Sequence, residues 1–294
     1  MVATKTIDVA HLGGISAGYK LSEPFDASNP TIVLINSFTT SAELYAPWFA
    51  DSKLTSRFNL LAIELLGHGA TRAHKSEHWT YWDTSIMNLQ VMDALKVNKA
   101  FILGTSQGGF VCARMALLSP ERVQGIILLG TCMDREGPEA VARGCWDGYA
   151  MGAQLIEAWS VPNENFEPSP EYITLNNQLG FGNPSAEMTK LWTGIIKGNY
   201  SGDEGRKRIR MSGINLRDRD GLHMRLRDIK CPVLWIQGTA DYVYSVENAK
   251  YELELFTGAK NKELRVVEGG AHFLSATNPN EVEAAMVAFV NTNV

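Results

Sequence analysis

The stretch from Lys99 to Ala116, KAFILGTSQGGFVCARMA, contains an apolar strand that passes almost directly into a helix. The strand covers Ala100 to Leu103, and the turn after it carries a G-x-S-x-G pattern centred on Ser106. So tight a turn needs neighbours without side chains where helix and strand come close, and glycines supply that room. The pattern predicts a strained turn that presents Ser106 Oγ as a nucleophile, with a helix-capping serine as the alternative.

Buried strands and helices alternate on both sides of this turn. Residues 31–36 and 58–65 are near-continuous apolar runs before it, and residues 123–131 form another after it. Such runs indicate strands buried on both faces, as in a parallel sheet with right-handed crossovers. Residues 5–10 and 15–22 predict an antiparallel hairpin at one edge of that sheet. The predicted fold class is therefore α/β, a mostly parallel sheet with helices on both faces.

The alternation stops after Met133 and resumes only at the strands predicted for residues 231–239 and 263–268. The intervening residues hold many aromatic side chains and helical patches but no strong strand pattern, and they are too many for a simple loop. The predicted domains are a core of residues 1–132 and 229–294 and a helical cap insertion of residues 133–228.

The end of this insertion, residues 206–227, is rich in arginine, with Asp218 and Asp220 interleaved. Alternating charges are typical of a solvated helix face. The pattern therefore predicts a solvated, salt-bridged face in preference to a phosphate site.

Composition excludes several classes of function. A net charge of −5 and a pI near 5.7 argue against a nucleic-acid partner. No signal peptide or membrane-spanning run is visible, and the four cysteines are far apart with no metal-ligand spacing, so we expect a cytoplasmic protein without a metal. A dinucleotide loop at Gly67-His68-Gly69 is disfavoured because Arg72 replaces the third glycine. No cofactor is expected.

A serine nucleophile needs a base and an acid that orients the base. His272 follows the last predicted strand, where open α/β sheets build their sites, and His68 is the second candidate. Asp241 follows the strand before it, with Asp134 as the rival acid. The order Ser106, Asp241, His272 is the order expected on this kind of fold.

Together these features resemble the α/β-hydrolase superfamily, in the branch with a helical cap. The resemblance runs from Thr31 to Val294 and depends on four motifs, which are GTSQGG, LLGHGAT, GTAD and GGAHF. It implies that Ser106 is the nucleophile, His272 the general base and Asp241 the acid.

The family's oxyanion hole uses two backbone N–H groups, which the resemblance assigns to Gln107 and Phe38. Relatives usually carry His-Gly before the second donor, whereas this chain has Asn36-Ser37. Glu64 stands where relatives commonly have Asp, a change that we interpret as structural.

These assignments predict hydrolysis of a carboxylic ester or lactone through an acyl-enzyme. The alternatives on the same fold are a hydrolase of carbon–carbon bonds in β-diketone-like substrates, a cofactor-free perhydrolase and a ligand receptor. The aromatic cap predicts a medium-sized, mostly apolar small-molecule substrate, and a homodimer is left open. Trp146, Trp159 and Trp192 are the candidate substrate-binding residues, with packing inside the cap as the alternative.

Overall fold

A computed structural model describes residues 2–294. The strands within these residues are β1 Lys5–Val9, β2 Ile15–Leu21, β3 Thr31–Ile35, β4 Asn59–Ile63, β5 Arg72–Ala73, β6 Ala100–Thr105, β7 Val123–Leu129, β8 Val233–Gly238 and β9 Lys262–Val267. The α-helices are α1 Ala46–Ala50, α2 Ser52–Thr55, α3 Tyr81–Ala94, α4 Gln107–Leu118, α5 Pro138–Ala142, α6 Gly148–Ala158, α7 Pro170–Phe181, α8 Ala186–Tyr200, α9 Gly202–Arg217, α10 Val246–Glu254, α11 Leu274–Thr277 and α12 Pro279–Asn293. Short 3₁₀-helices cover His11–Gly13, Ala42–Tyr45 and His223–Asp228.

The main path of the sheet has the order β1-β2-β4-β3-β6-β7-β8-β9, with β5 paired to β2. The neighbouring strands from β4 to β9 run parallel, whereas β1 and β2 form an antiparallel hairpin at one edge. The predicted α/β fold with an antiparallel edge is confirmed. The chain changes direction across the sheet at β3 and β6, and such a reversal opens a crevice at the carboxyl ends of the strands.

Helices cover both faces of the sheet, which explains why its central strands are apolar throughout. Every residue of β3, β4 and β6 is buried. One apolar cluster packs α3, α4 and α10 against the sheet, and the other packs α12 and the residues around α1 and α2. Strands buried on both faces cannot alternate polar and apolar residues, so the apolar runs follow from the layering.

Between β7 and β8 the chain forms α5 to α9 and the last 3₁₀-helix, without a strand. We call residues 133–228 the inserted segment. It bonds to the core at two loops, where Trp146 N donates to Val243 O (2.9 Å) and Phe273 N donates to Gly180 O (2.7 Å). Its helices agree with the helical patches in the sequence, and its role as a separate cap domain stays a prediction.

The prediction of a solvated face for residues 206–227 is wrong for two of its arginines. Arg206 and Arg219 are both buried. Arg219 bonds to Glu136 at 2.7 Å, with both side chains 1% exposed. A guanidinium can be buried in this way only when a carboxylate neutralises it, and Glu136 lies 83 positions away in the sequence.

Candidate active site

Ser106 occupies a strained turn between β6 and α4. Its backbone angles, φ 53° and ψ −112°, lie where few residues other than glycine are found. Two hydrogen bonds hold the residue there: Ser106 N donates to Leu129 O (2.8 Å), and Thr131 Oγ1 donates to Ser106 O (2.7 Å). A Cβ on Gly104 would lie 2.1 Å from the Gly108 carbonyl carbon, so the turn leaves no room for a side chain there.

His272 and Asp241 form a buried pair at the ends of β9 and β8. His272 Nδ1 lies 3.0 Å from Asp241 Oδ1 and 2.9 Å from Oδ2, with the side chains 5% and 0% exposed. The carboxylate also accepts bonds from Gln237 Nε2 (2.8 Å), Val243 N (2.8 Å) and Tyr244 N (3.0 Å). Because a carboxylate only accepts, Nδ1 carries the proton and Nε2 is left as the basic atom.

Gly130, the residue directly after β7, lies close to the His272–Asp241 pair. Gly130 follows Leu129, which holds the Ser106 amide, and a Cβ on Gly130 would lie 2.6 Å from His272 O and 3.0 Å from Asp241 Oδ2. Within residues 2–294, neither Ser106 Oγ nor His272 Nε2 makes a hydrogen bond. Such bonds are often long without substrate and tighten when it binds.

The loop after β3 faces the start of α4. Asn36 Nδ2 donates to Ser37 O (3.1 Å) and Thr40 O (3.0 Å), which holds the loop in a closed turn. In the described residues, the N–H groups of Phe38 and Gln107 have no acceptor. A Cβ on Gly108 would lie 2.2 Å from Ile35 O, so the helix start and the loop are in close contact. The Gln107 amide therefore directly follows the serine, and the chain just before Phe38 contacts the start of α4.

Comparison with known proteins agrees with this architecture. A family model described as "alpha/beta hydrolase fold" matches residues 30–167, which include β3, β6 and the Ser106 turn. The chain therefore has the α/β-hydrolase fold. The fold expected from the four motifs is confirmed.

The chain is 23% identical to pimeloyl-(acyl-carrier protein) methyl ester esterase of Xylella fastidiosa (strain M23), covering 90% of this chain and 96% of the esterase. It is 32% identical over 155 residues to 1-acylglycerol-3-phosphate O-acyltransferase of Arabidopsis thaliana, covering 49% of this chain but only 35% of that protein's length. The structure of the enol-lactonase from Burkholderia xenovorans LB400 matches with a TM-score of 0.69 at 22% identity, covering 97% of this chain and 100% of the lactonase. At this identity the structural match shows the fold alone.

The rival base, His68, and the rival acid, Asp134, do not belong to the His272–Asp241 pair. His68 is buried, its Nδ1 lies 2.9 Å from Leu66 O, and burial lowers its pKa to about 4. Its ring packs edge-on against Phe38 and Tyr200, with centroids 6.2 Å apart in each case. Asp134 Oδ2 lies 3.4 Å from His223 Nδ1.

Gln237 and Glu64 are polar residues that support the site, although the sequence predicts no role in the site for either of them. Gln237 bonds to Asp241 and also donates to Tyr244 O (2.7 Å), so it fixes the position of the carboxylate. The supporting role of Gln237 could have been predicted from the sequence, because this polar residue ends the otherwise apolar run VLWIQ. Glu64 accepts from Ala42 N (3.0 Å) and Ala70 N (2.6 Å).

Glu64 joins the two loops that carry the oxyanion candidate and the GHG motif. Burial raises the pKa of Glu64, while its two amide donors act in the opposite direction. A Cβ on Gly69 would lie 2.1 Å from the Glu64 carboxyl carbon, so the loop is packed directly on this side chain. Glu64, which stands where relatives carry Asp, is therefore packed within this loop. This position agrees with a structural role for the change.

Helix α7 of the inserted segment lies against both halves of the site. Thr39 Oγ1 donates to Asn176 Oδ1 (3.1 Å), and Tyr172 OH donates to Thr39 Oγ1 (3.4 Å). At the helix end, Phe181 packs edge-on against Phe273, the neighbour of His272, at 5.0 Å. Helix α7 therefore contacts both the oxyanion loop and the residue that follows His272.

The three candidate tryptophans pack against other side chains of the protein. Trp159 contacts Tyr172 edge-on at 5.2 Å, and Trp192 stacks on Phe181 at 5.5 Å, and both tryptophans are buried. Trp146 is half-buried beside the loop that holds Asp241. Substrate contact by Trp146, Trp159 and Trp192 stays a prediction.

His223 connects the end of the inserted segment to the core. Its Nε2 lies 2.8 Å from Glu252 Oε1 on α10, and its Nδ1 lies 3.4 Å from Asp134 Oδ2. Burial lowers the pKa of His223, but the hydrogen bond and charge of Glu252, together with the charge of Asp134, raise it above the ordinary value of 6.5. When protonated, the His223 imidazole therefore links both ends of the inserted segment to α10.

We expect His223→Gln to destabilise the protein at acidic pH, and the deficit against wild type to shrink as pH rises. A histidine with a raised folded-state pKa stabilises fully below its unfolded pKa, and this contribution disappears as pH rises through the folded value. Thermal unfolding between about pH 5 and about pH 9 measures the effect, with the exposed His78→Gln as control. A deficit that does not vary with pH would contradict this role.

The described residues also limit other kinds of site. In residues 2–294 there is no group of three or more His, Cys, Asp and Glu side chains arranged to hold a metal ion. None of the helices in this range combines the length and apolar character needed to span a bilayer.

Proposed function

We propose that this protein is a serine hydrolase that cleaves a carboxylic ester or lactone through an acyl-enzyme, with Ser106, His272 and Asp241 as its triad. The observation that carries the proposal is the buried His272–Asp241 pair, with Nδ1–O distances of 3.0 and 2.9 Å, beside a serine in a left-handed turn. A strained backbone and an oriented imidazole at one sheet edge are what nucleophilic catalysis needs.

In this mechanism Ser106 Oγ attacks the carbonyl carbon of the substrate while His272 Nε2 takes the hydroxyl proton. The tetrahedral intermediate collapses to the acyl-enzyme, and the imidazolium returns the proton to the leaving alkoxide. Asp241 remains ionised and stabilises the imidazolium. Water then attacks the acyl-enzyme with His272 again as the base, which releases the acid and restores the serine.

The N–H groups of Phe38 and Gln107 are proposed to hold the oxyanion. Losing one such donor typically costs about 3–4 kcal/mol of transition-state stabilisation. Gln107 is also the first residue of the twelve-residue helix α4, whose amino-terminal dipole favours negative charge. The closed turn set by Asn36 supports a role for the Phe38 N–H as the second donor without the glycine that relatives carry.

The proposed substrate is a medium-sized, mostly apolar small molecule. Aromatic side chains of the inserted segment contact the oxyanion loop and the His272 loop, as with Tyr172 and Phe181. The Xylella esterase and the Burkholderia lactonase are consistent with both reaction classes, ester and lactone. Solvent exclusion by α7 would strengthen the electrostatic interactions around the reacting carbonyl.

Turnover of p-nitrophenyl esters of graded acyl length, and of lactones of graded ring and chain size, tests this function. We expect at least one series to be hydrolysed, with a rapid initial release of p-nitrophenol that matches the enzyme concentration if deacylation is slow. Ser106→Ala provides the background rate. Failure of the wild-type protein on every ester and lactone would overturn the proposal.

A further inference from the structure

A second polar cleft lies between the GHG loop of the core and α9 of the inserted segment. Its volume is about 100 Å³, enough for a group of a few heavy atoms. Three cationic side chains line it, Arg72, Lys207 and Arg208, together with the carboxylates of Glu77 and Glu204. The cleft belongs to neither the Ser106 turn nor the His272 loop.

Both carboxylates are already engaged by the lysine. Lys207 Nζ lies 2.9 Å from Glu204 Oε1 and 3.4 Å from Glu77 Oε1. Among residues 2–294, no carboxylate oxygen lies within 4.0 Å of the guanidinium nitrogens of Arg72 or Arg208. The expected salt bridges therefore form at Lys207 but not at Arg208, its neighbour on α9.

The two arginines instead converge on neutral oxygens of one asparagine. Arg72 Nη2 donates to Asn199 Oδ1 (2.6 Å), and Arg208 Nη2 donates to Asn199 O (2.5 Å). Arg72 Nη1 donates to the carbonyls of Gly69 and Thr71. Arg208 Nε is buried and has no acceptor within the described part of the chain. Arg208 therefore has an unused guanidinium donor, and both arginines contact Asn199.

Three cationic and two anionic side chains line this partly desolvated cleft, and the charges of Glu64 and Glu204 only partly offset those of Arg72 and Arg208. Burial, followed by the charge of Arg208, lowers the pKa of Arg72, and burial also lowers the pKa of Arg208. Two like charges removed from water destabilise each other unless an anion lies between them. The hydroxyl of Tyr200, near both guanidinium groups, is buried without a partner as well.

We propose that Arg72 and Arg208 form a binding site for a small oxyanion, the phosphate or carboxylate group of a ligand. The planar guanidinium fork matches two oxygens of either group, which makes arginine the usual residue for such recognition. Because Arg72 belongs to the core and Arg208 to α9, a bound anion joins the inserted segment to the core. The site does not depend on catalysis at Ser106.

Isothermal titration calorimetry of the full chain with sodium phosphate, and separately with sodium acetate, tests the proposal at constant ionic strength set with sodium chloride. We expect one anion per chain, bound at least about tenfold more weakly by Arg208→Gln, which loses a charge-assisted bond. Arg210→Gln is the matched control, because Arg210 is on the same helix but bonds to Ser160 Oγ. Ser106→Ala should bind as wild type does, which separates this site from the proposed function.

The phosphate and acetate titrations distinguish the two ligand groups, and saturable binding of either one supports the site. Arg208→Lys keeps the charge but not the fork, so we expect its affinity to lie between wild type and Arg208→Gln. Thermal unfolding of each variant shows whether it is folded. Absence of binding by the wild type, or equal weakening by Arg208→Gln and Arg210→Gln, would overturn the proposal.

Discussion

Replacing Ser106 by alanine is expected to reduce hydrolysis of the best ester or lactone by about 10⁶-fold, because loss of a serine nucleophile removes the covalent route entirely. The residual rate should come from the oxyanion donors and substrate binding alone. Stopped-flow or steady-state release of p-nitrophenol measures the change in kcat. The fold should remain intact, since the Ser106 hydroxyl makes no hydrogen bond in the described residues.

Ser275→Ala is the matched control for this substitution. Ser275 Oγ is buried and makes no hydrogen bond within the described residues, and Ser275 lies on α11, just after the His272 loop. We expect this variant to keep kcat within about threefold of wild type, because a hydroxyl that bonds to nothing contributes little. If Ser106→Ala kept more than about a hundredth of the activity, the nucleophile would have to be another residue.

Replacing Asp241 by asparagine is expected to lower kcat by about 10⁴-fold while the protein remains folded. In serine proteases the same change leaves the geometry intact but favours the wrong tautomer of the histidine. Here the amide oxygen can still accept from Val243 N and Tyr244 N, so the loop should be retained. The carboxylate charge that would stabilise the imidazolium is lost.

Asp134→Asn is the control, because it removes the same charge from the rival acid. Asp134 lies near His223 and Glu252, on the side of the inserted segment, so kcat should change by less than about threefold. Kinetics of both variants on one substrate, with thermal unfolding of each, make the comparison. A large loss in Asp134→Asn with little change in Asp241→Asn would transfer the role to Asp134.

The site and the proposed anion cleft share one layer of packed side chains. The Phe38 ring of the oxyanion loop contacts His68, His68 contacts Tyr200, and the charge of Arg72 lowers the pKa of His68 further. Asn199 Nδ2 also donates to Gly67 O at 3.2 Å, which fastens α8 to the GHG loop. An anion held by the two arginines would therefore stabilise the loops around the oxyanion candidate.

Local patterns were sufficient to predict the sheet because its central strands are buried on both faces. The continuous apolar runs at β3, β4, β6, β7 and β8 are suited only to strands with both faces buried. The helical pattern between β7 and β8 indicated the inserted segment. The two-residue strand β5 and the four-residue helix α11 were missed, since elements this short have no periodicity. Their existence depends on pairing and packing with distant residues.

The sequence by itself determined the strand–turn–helix around Ser106, because only glycines fit where Gly104 and Gly108 approach other backbone atoms. It also put Asp241 and His272 at strand ends, since parallel strands finish at one edge of a sheet. Only the tertiary structure decided which charged groups meet. Arg219 pairs with Glu136 at a separation of 83 residues, whereas Arg208 and Arg72 both bond to Asn199 without a carboxylate. Charge pairing depends on distances between far-separated side chains, which a local pattern does not contain.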